Sequence, residues 1–195
     1  MNYLAHLHIA DHTNSSLLGN FLGDFVKGSP EGKYSVPVVQ GIRLHRFVDS
    51  FTDQHAIVKS LKQYFPTELR RFAPITLDMF WDHCLAKNWP VYHQSALMDF
   101  CQQAERQIAI EMQQENYSLP ERFLSTSEAM WQGRWLEHYA DIDNIIFSLQ
   151  RIARRGKRMA PLASTGDTLL NHYDIFAEQF LQLYPELLQQ AQILS

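Results

Sequence analysis

The stretch VVQGIRLHRFVDSFTD, residues 38–53, decides the fold class, because its apolar residues recur with the spacing of a helix. With successive residues about 100° apart, its apolar side chains fall on one broad arc of a helical wheel: Val38, Ile42, Leu44, Val48 and Phe51. Arg43, Arg46 and Ser50 fall on the opposite side. The stretch therefore predicts an amphipathic helix with one face in a protein core.

The rest of the chain repeats this pattern, and alternating β-branched runs are almost absent. After a short apolar segment at 3–10, helices are predicted at 15–27 (with Ser15 or Asn14 as N-cap), 38–53, 55–64, 74–88, 95–114, 127–138, 141–155 and 168–184, with a final short helix starting at Pro185. The glycines and prolines of residues 28–37 predict a loop. Without an internal repeat or a low-complexity linker, we expect one all-α domain over residues 1–195.

Composition is that of an ordinary globular protein. The 195 residues are 46% hydrophobic, which is enough for a sizeable core and argues against disorder. Apolar runs last only a few residues, so no membrane span is predicted, and the N-terminus lacks the features of a signal peptide. A net charge of −4 disfavours a general nucleic-acid binder. Cys84 and Cys101 are expected to be unpaired, which fits a cytoplasmic protein.

Two polar residues interrupt the apolar face of the helix at 38–53. His45 and Asp49 lie inside the arc and one turn apart, so their side chains are neighbours. Burying a carboxylate without a partner is costly. Its charge must therefore be compensated, either by a hydrogen bond within the pair or by a metal ion.

The predicted helix starting at Pro74 carries a second pair, Asp78 and Asp82, also one turn apart within an apolar face. Two adjacent carboxylates repel each other unless a cation or a proton lies between them, so this pair favours a metal site. The structural alternative is that Asp78 caps the start of its own helix. His83 points away from the pair on an ideal helix and serves a different site or none.

Further candidate ligands come from the first two segments. Asp24 lies at the edge of an apolar helix face, where Gly19 and Gly23 would let a neighbouring backbone approach closely; a surface charge is the alternative. His6 and His8 lie in the first apolar segment, and His8 is expected to point inward. Carboxylates and imidazoles suit divalent metals, so the four segments together predict a metal site.

A basic run lies near residue 155: Arg151, Arg154, Arg155, Lys157 and Arg158. Such a run forms either a patch that attracts an acidic partner or a solvated helix end, where cations are favoured. The sequence pattern by itself favours the solvated helix end.

Six motifs occur in order over essentially the whole chain: MNYLAHLHIAD, SSLLGNFLGDFVKG, GIRLHRFVD, APITLDMFWDHCL, WLEHYADID and NHYDIFAEQFLQLYP. Together they resemble the bacterial acyl carrier protein phosphodiesterases, also called acyl carrier protein hydrolases. The resemblance implies an HD-domain-like, all-helical phosphohydrolase. It further implies removal of the 4′-phosphopantetheine arm from holo-acyl carrier protein with a divalent cation, typically Mn²⁺, although Mg²⁺ or another divalent ion would also fit.

The wider HD group is named for an adjacent His-Asp dipeptide, and this sequence has none; it has Asp82-His83 in reversed order. Ligands are therefore assigned by helix geometry. The first choice is Asp24, His45, Asp49 and Asp78, followed by His6, His8, Asp82 and His83.

The implied reaction is metal-assisted hydrolysis of a phosphodiester. We expect Asp49 or Asp82 to orient the attacking water, and Arg43 or Arg46 to contact phosphate oxygens, although the wheel places both arginines towards solvent. Acyl carrier proteins are strongly acidic. The resemblance therefore favours a docking surface over a solvated helix end as the role of the basic run. The alternatives are an HD-type nucleotide phosphohydrolase and a helical protein that binds acyl carrier protein without cleaving it.

Overall fold

The computed structural model describes residues 1–194, and every regular element in that range is helical. The α-helices are α1 (Tyr3–His12), α2 (Leu17–Leu22), α3 (Val36–Gln54), α4 (Ala56–Leu61), α5 (Ala73–Lys87), α6 (Trp89–Tyr92), α7 (Leu97–Gln114), α8 (Glu121–Gln132), α9 (Trp135–His138), α10 (Ile142–Ala153), α11 (Thr165–Asn171) and α12 (Tyr173–Leu194). Short 3₁₀ turns occupy Lys62–Tyr64, Arg70–Phe72 and Ala160–Ser164. The all-α prediction is confirmed.

Helix α3 confirms the predicted amphipathic pattern. Pro37 occupies its first turn, where a proline's missing N–H is not needed. The helix ends at Gln54, because His55 adopts an extended conformation and its side chain caps the start of α4. Four of the five predicted arc residues are buried, and Phe51 packs against the same core while partly exposed. α3 therefore has one face in the core, as its sequence predicts.

Helices α2 and α3 touch backbone to backbone through two glycines. A Cβ on Gly19 would lie 2.4 Å from the carbonyl oxygen of Val38, and a Cβ on Gly41 would lie 2.9 Å from the Cα of Gly19. Only residues without a side chain permit this approach. The contact fixes α2 against the first two turns of α3.

The predicted helix at 15–27 is shorter than expected. The N-cap of α2 is Ser16, whose Oγ accepts a hydrogen bond from the Gly19 N–H (2.8 Å). Asn14 has a left-handed φ of 53°, which suits a turn and not an N-cap, so the prediction of Asn14 or Ser15 was wrong. The Ser16 hydroxyl also donates to Glu111 of α7, which ties the start of α2 to a distant helix.

Helix α1 runs through the interior of the protein. Its residues from Leu4 to Ala10 are all buried, including His6 and His8. A helix buried on all sides is expected at the centre of a fold. The short apolar segment predicted at 3–10 is thus a central helix, and its histidines are inside the protein.

Two boundaries in the second half differ from the prediction. The helix expected at 127–138 begins earlier, at Glu121 directly after Pro120, and ends at Gln132. Gly133 and Arg134, the latter in a left-handed conformation (φ 49°), separate it from the four-residue α9.

Pro185 does not start a new helix, as was predicted, but lies inside α12. A proline inside a helix costs about 3 kcal/mol or more. The cost is offset here because Leu183, Tyr184 and Leu187 around it are fully buried. The chain instead breaks at His172, between α11 and α12.

Two predictions from composition can be compared with the structure. Cys84 and Cys101 are free, as expected, and both are buried. Among residues 1–194, no helix combines the length and the apolar character needed to cross a membrane.

Candidate metal centre

Side chains from α1 and α3 meet at one carboxylate. His6 Nε2 lies 3.1 Å from Asp49 Oδ1, and His45 Nε2 lies 3.1 Å from Asp49 Oδ2. The two imidazole rings stack, with centroids 3.7 Å apart and planes inclined by 17°. Both histidines are buried, whereas the Asp49 side chain is 39% exposed. The cluster of His6, His45 and Asp49 therefore lies at the boundary between core and solvent.

The orientation of His45 is set by its second nitrogen. Its Nδ1 lies 2.8 Å from the backbone carbonyl of Asn20, so Nδ1 carries the proton and donates it there. Nε2 then faces two carboxylates, Asp49 at 3.1 Å and Asp24 at 3.5 Å. A backbone carbonyl on the far nitrogen is the usual arrangement of a metal-binding histidine, because it fixes the tautomer and the ring plane.

A glycine makes this ring position possible. A Cβ built on Gly23 would lie 2.1 Å from His45 Cγ, closer than any side chain can approach. Gly23 directly precedes Asp24, so the same turn both clears space for the ring and supplies a carboxylate to it. The sequence pattern identified Gly23 as a point of close approach, although not its contact with His45.

The two histidines have opposite pKa shifts. Burial, and then the charge of His45, lower the pKa of His6 to about 4. Burial opposes the shift of His45, but hydrogen bonds and charges of Asp24 and Asp49 outweigh it and raise the pKa to about 9. Asp49 has a pKa well below its usual range, because hydrogen bonds from His45 and His6 outweigh its burial. Asp49 is therefore ionised between one neutral and one protonated imidazole.

This donor set suits a divalent cation. One ligand atom each from His6, His45 and Asp49 lie within 4.8 Å of one another, the one such group found among residues 1–194. Imidazole and carboxylate together are ligands for borderline and hard divalent ions. A cation can replace the proton on His45 Nε2. Its positive charge would then interact with the carboxylates of Asp24 and Asp49. The residues thus fit a metal, and Asp24 lies next to the group.

The two carboxylates of the second predicted pair, Asp78 and Asp82, each have their own partners within the protein. Asp78 Oδ1 accepts a hydrogen bond from the Met1 amine (2.6 Å), which also lies 3.6 Å from Asp49. Both oxygens of Asp82 accept hydrogen bonds from the first turn of α1, from Leu4 N–H (2.8 Å) and Ala5 N–H (3.0 Å). The predicted repulsion is relieved by an ammonium group and a helix N-terminus, which is a correction to the sequence-based interpretation.

Burial dominates the titration of both carboxylates in α5. It raises the pKa of Asp78 to about 6, against the lowering effect of the Met1 amine. It raises the pKa of Asp82 to about 7, against the two N–H donors of α1. Asp82 therefore holds α1 in place, and it does not reach solvent, since its side chain is fully buried. The prediction that Asp82 orients the attacking water is not supported, because both of its oxygens accept hydrogen bonds from α1 and neither is exposed.

The structure does not bring His8 and His83 to the cluster. His8 Nδ1 lies 2.7 Å from the Tyr184 hydroxyl and its Nε2 lies 3.1 Å from the carbonyl of Tyr92. His83 has one nitrogen 2.9 Å from the carbonyl of Tyr139 and the other 2.7 Å from the hydroxyl of Tyr173. All four ring nitrogens have partners within the protein, and neither histidine belongs to the cluster.

The two arginines of α3 also have protein partners. Arg43 is exposed and forms a salt bridge with Glu31 in the loop before α3. Arg46 is half-buried and donates to the carbonyl of Val26 (2.7 Å), two residues beyond Asp24. Arg46 thus supports the turn that carries Asp24, while Arg43 lies on the solvent side of α3, where the wheel places it.

Residues that sequence patterns did not identify include Asn20 and the Met1 amine. Asn20 acts through its backbone carbonyl, which carries no signature in the sequence. Every chain has an N-terminal amine, so its presence in the sequence predicts nothing. Only the structure shows that the Met1 amine contacts Asp78 and Asp49.

Comparisons with known proteins point to one family. A family model described as "Acyl carrier protein phosphodiesterase" matches residues 1–187. Proteins named acyl carrier protein phosphodiesterase include one from Yersinia pestis, 43% identical over 193 residues, and one from Serratia proteamaculans, 45% identical over 192 residues. The alignments cover 98% of this chain in both cases, and 98% and 97% of the relatives. No solved structure matches, so the HD-domain-like arrangement stays a prediction.

Proposed function

The chain belongs to the acyl carrier protein phosphodiesterase family, and from this premise we propose that it is an enzyme that uses a divalent cation to remove the prosthetic group of acyl carrier protein. The bond cleaved is the phosphodiester between 4′-phosphopantetheine and a serine of the holo-protein. Family membership supports the substrate and the reaction. The observation that carries the metal dependence is the cluster of His6, His45 and Asp49 at the core boundary.

The residues of this centre would have two different roles in the reaction. His6, His45 and Asp49 would hold the cation, and Asp24, half-exposed beside His45, would accept a proton from the attacking water. A divalent cation supplies Lewis acidity to a phosphate oxygen and so favours attack at phosphorus. The phosphorus–oxygen bond to serine breaks as the water oxygen bonds to phosphorus. One hydrogen of the water leaves on the serine and the other stays with the phosphate, which gives apo-protein and 4′-phosphopantetheine.

We propose Mn²⁺ as the cation, with Mg²⁺ or another divalent ion as the alternative. Two imidazoles among the ligands favour a borderline ion over Mg²⁺, which prefers an all-oxygen environment. The substrate protein is expected to dock on the basic run, which begins in the last turn of α10. All five of its cations are exposed: Arg151, Arg154, Arg155, Lys157 and Arg158.

Two further predictions are retained with this proposal. A continuous core that joins helices from both ends of the chain supports one domain over residues 1–195. The free, buried cysteines are compatible with the cytoplasm, where the acyl carrier proteins of bacterial lipid synthesis would be met.

Mass spectrometry of holo-acyl carrier protein tests the proposal. Incubation with the enzyme and Mn²⁺ should remove the mass of 4′-phosphopantetheine, and EDTA should prevent the loss. Asp49→Asn should abolish both activity and Mn²⁺ binding measured by calorimetry. Asp53→Asn, an exposed carboxylate one turn further along α3, should leave both unchanged.

Each alternative gives a different outcome. Release of phosphate from nucleotides with an intact holo-protein would favour a nucleotide phosphohydrolase. Tight binding of holo-acyl carrier protein, with no cleavage in the presence of any divalent ion, would indicate a binding protein and overturn the proposal.

A further inference from the structure

A cavity of about 290 Å³ lies beside the start of α1. Its walls come from four places in the chain: the first residues of the protein, Met79 of α5, the α8–α9 segment, and α10 with the residues that follow it. Ligand pockets begin at roughly 300 Å³, so this volume suits a slender molecule and is small for a nucleotide. The cavity is not part of the His6–His45–Asp49 cluster, and no other role of the protein accounts for it.

The cavity and the metal centre are neighbours through the first residues of the chain. The Met1 amine lies 3.6 Å from Asp49 of the centre, while Asn2 and Tyr3 line the cavity. The Asn2 side chain lies 3.3 Å from the hydroxyl of Tyr139, another lining residue. Met1, which contacts the centre, directly precedes Asn2, which lines the cavity, and adjacent Cα atoms are about 3.8 Å apart. The cavity and the centre are therefore separated by only one or two residues of the chain.

Tyr3 lies between the charges of the two sites. Burial is the main cause that raises its pKa to about 12, and the carboxylate of Asp24 adds to the rise. Arg155, which lines the cavity, and Arg122 act in the opposite direction. The ring of Tyr3 also packs edge-on against Phe21 of α2, with centroids 5.1 Å apart. Tyr3 therefore lines the cavity and lies within range of the charges of both Asp24 and Arg155.

The lining suits an uncharged chain that carries polar amide groups. Trp135, Tyr139 and Phe147 give aromatic walls, and Asn144 and Ser148 give hydrogen-bonding groups between them. The side chain of Phe147 stands out at the opening, because the residue is 54% exposed. Aromatic walls with a few polar groups are typical of small-ligand sites.

The rim of the cavity belongs to the basic run. The guanidinium of Arg151 lies 5.1 Å from the centroid of the Trp135 ring, in cation–π geometry. Arg155, one turn further along the chain, also lines the cavity. The expected docking surface thus borders the cavity, and the first residues of the chain lie between the cavity and the centre.

We propose that this cavity holds the pantetheine arm of the carrier protein, an uncharged diamide chain, while its phosphate lies at the cluster of His6, His45 and Asp49. The proposal rests on the proposed function for the nature of the arm. It assigns Trp135, Phe147 and Ser148 to substrate binding and separates recognition of the arm from recognition of the protein that carries it.

Binding measurements without turnover test the cavity. With EDTA present, the wild-type protein should bind holo-acyl carrier protein about tenfold more tightly than the apo-protein, because only the former offers the arm. Ser148→Trp fills the cavity and should reduce the holo affinity to the apo value, leaving apo binding unchanged. Gln150→Trp, on the same helix but outside the cavity, should retain the tenfold difference.

A second variant avoids dependence on the folding of Ser148→Trp. Phe147→Ala removes a largely exposed side chain at the opening, so it should weaken binding of holo-protein, and of free 4′-phosphopantetheine, without lowering the melting temperature. Equal loss of apo and holo affinity in either variant would overturn the proposal, as would an unchanged ratio in both.

The outcomes also separate this inference from the proposed function. If no divalent ion supports cleavage but the holo preference disappears in Ser148→Trp, the cavity binds the arm and the catalytic proposal fails. If the wild type cleaves and both cavity variants keep the full holo preference, the catalytic proposal stands and the cavity has another role.

Discussion

Gly23 and His45 are in direct contact, with no room for a side chain between them. A methyl group on Gly23 would lie 2.1 Å from His45 Cγ and 2.2 Å from its Cδ2. The ring is also held by the carbonyl of Asn20, at 2.8 Å. The imidazole therefore fills a slot whose two sides are the α2 backbone and the turn that carries Asp24.

Gly23→Ala should displace His45 and weaken the centre. Gly23 has a helical φ of −49°, so alanine causes no backbone strain and the effect comes from the clash alone. Loss of ligand orientation costs about 10–100-fold in metal affinity, which calorimetry with Mn²⁺ measures. Gly156→Ala, where nothing lies within 4 Å, is the matched control. Wild-type affinity in Gly23→Ala would contradict this role of the glycine.

Asp82→Asn should change how stability depends on pH. In the folded protein burial raises the pKa of Asp82 to about 7, from 3.8, so the native state keeps this proton longer than the unfolded state. The contribution of Asp82 to the free energy of unfolding is therefore largest below pH 4 and declines as pH rises towards 7.

Urea unfolding at pH 5 and pH 8 measures this effect. The difference in free energy of unfolding between wild type and Asp82→Asn should be larger at pH 5, by about 2 kcal/mol. Asp167→Asn, an exposed carboxylate, serves as control. A difference that is the same at both pH values would mean that Asp82 is ionised throughout.

Charge reversal in the basic run should weaken docking and leave the chemical step intact. Arg154→Glu with Lys157→Glu avoids the cavity-lining arginines, so it should raise KM for holo-acyl carrier protein at low salt with little change in kcat. The dependence of KM on salt should also become weaker. Lys59→Glu with Arg106→Glu makes the same charge change elsewhere on the surface. Equal effects of the two double variants would show that only net charge matters.

Neither cysteine should react in the native protein. Burial raises the pKa of Cys101 to about 12 and that of Cys84 further, so thiolate is scarce at neutral pH and reagents have no access. Ellman's reagent at pH 8 should label no thiol in the folded protein and two after denaturation in urea. Rapid labelling of one thiol in the native state would show that its helix opens locally.

Within α3 the sequence was sufficient to bring two of the candidate ligands together. A helical wheel places His45 and Asp49 one turn apart on an apolar face, and both belong to the cluster. His6 could be proposed as well, because its segment is too apolar to lie on the surface. Its contact with Asp49 was not predictable, since the contact spans 43 residues and depends on how α1 crosses α3.

The pair in α5 shows where reasoning from one helix fails. Asp78 and Asp82 do lie one turn apart, and their charges do need compensation. The compensating groups, the Met1 amine and the N–H groups of α1, lie on another element nearly 80 residues away and cannot be seen on a wheel of α5. A similar limit applies to Pro185, where burial of Tyr184 and Leu187 outweighs a local preference to end the helix.

The hydrogen bond from Leu4 to Asp82 spans 78 residues, and this separation bears on the order of events during translation. His6, His45 and Asp49 leave the ribosome before α5 is made, yet the N–H groups of Leu4 and Ala5 lack their hydrogen-bond acceptor until Asp82 has followed. Contacts between distant residues repay the entropy of loop closure only once both ends are present. A nascent chain stalled before α5 therefore carries His6, His45 and Asp49 without the support that positions His6, and we expect the cluster to form only late in synthesis.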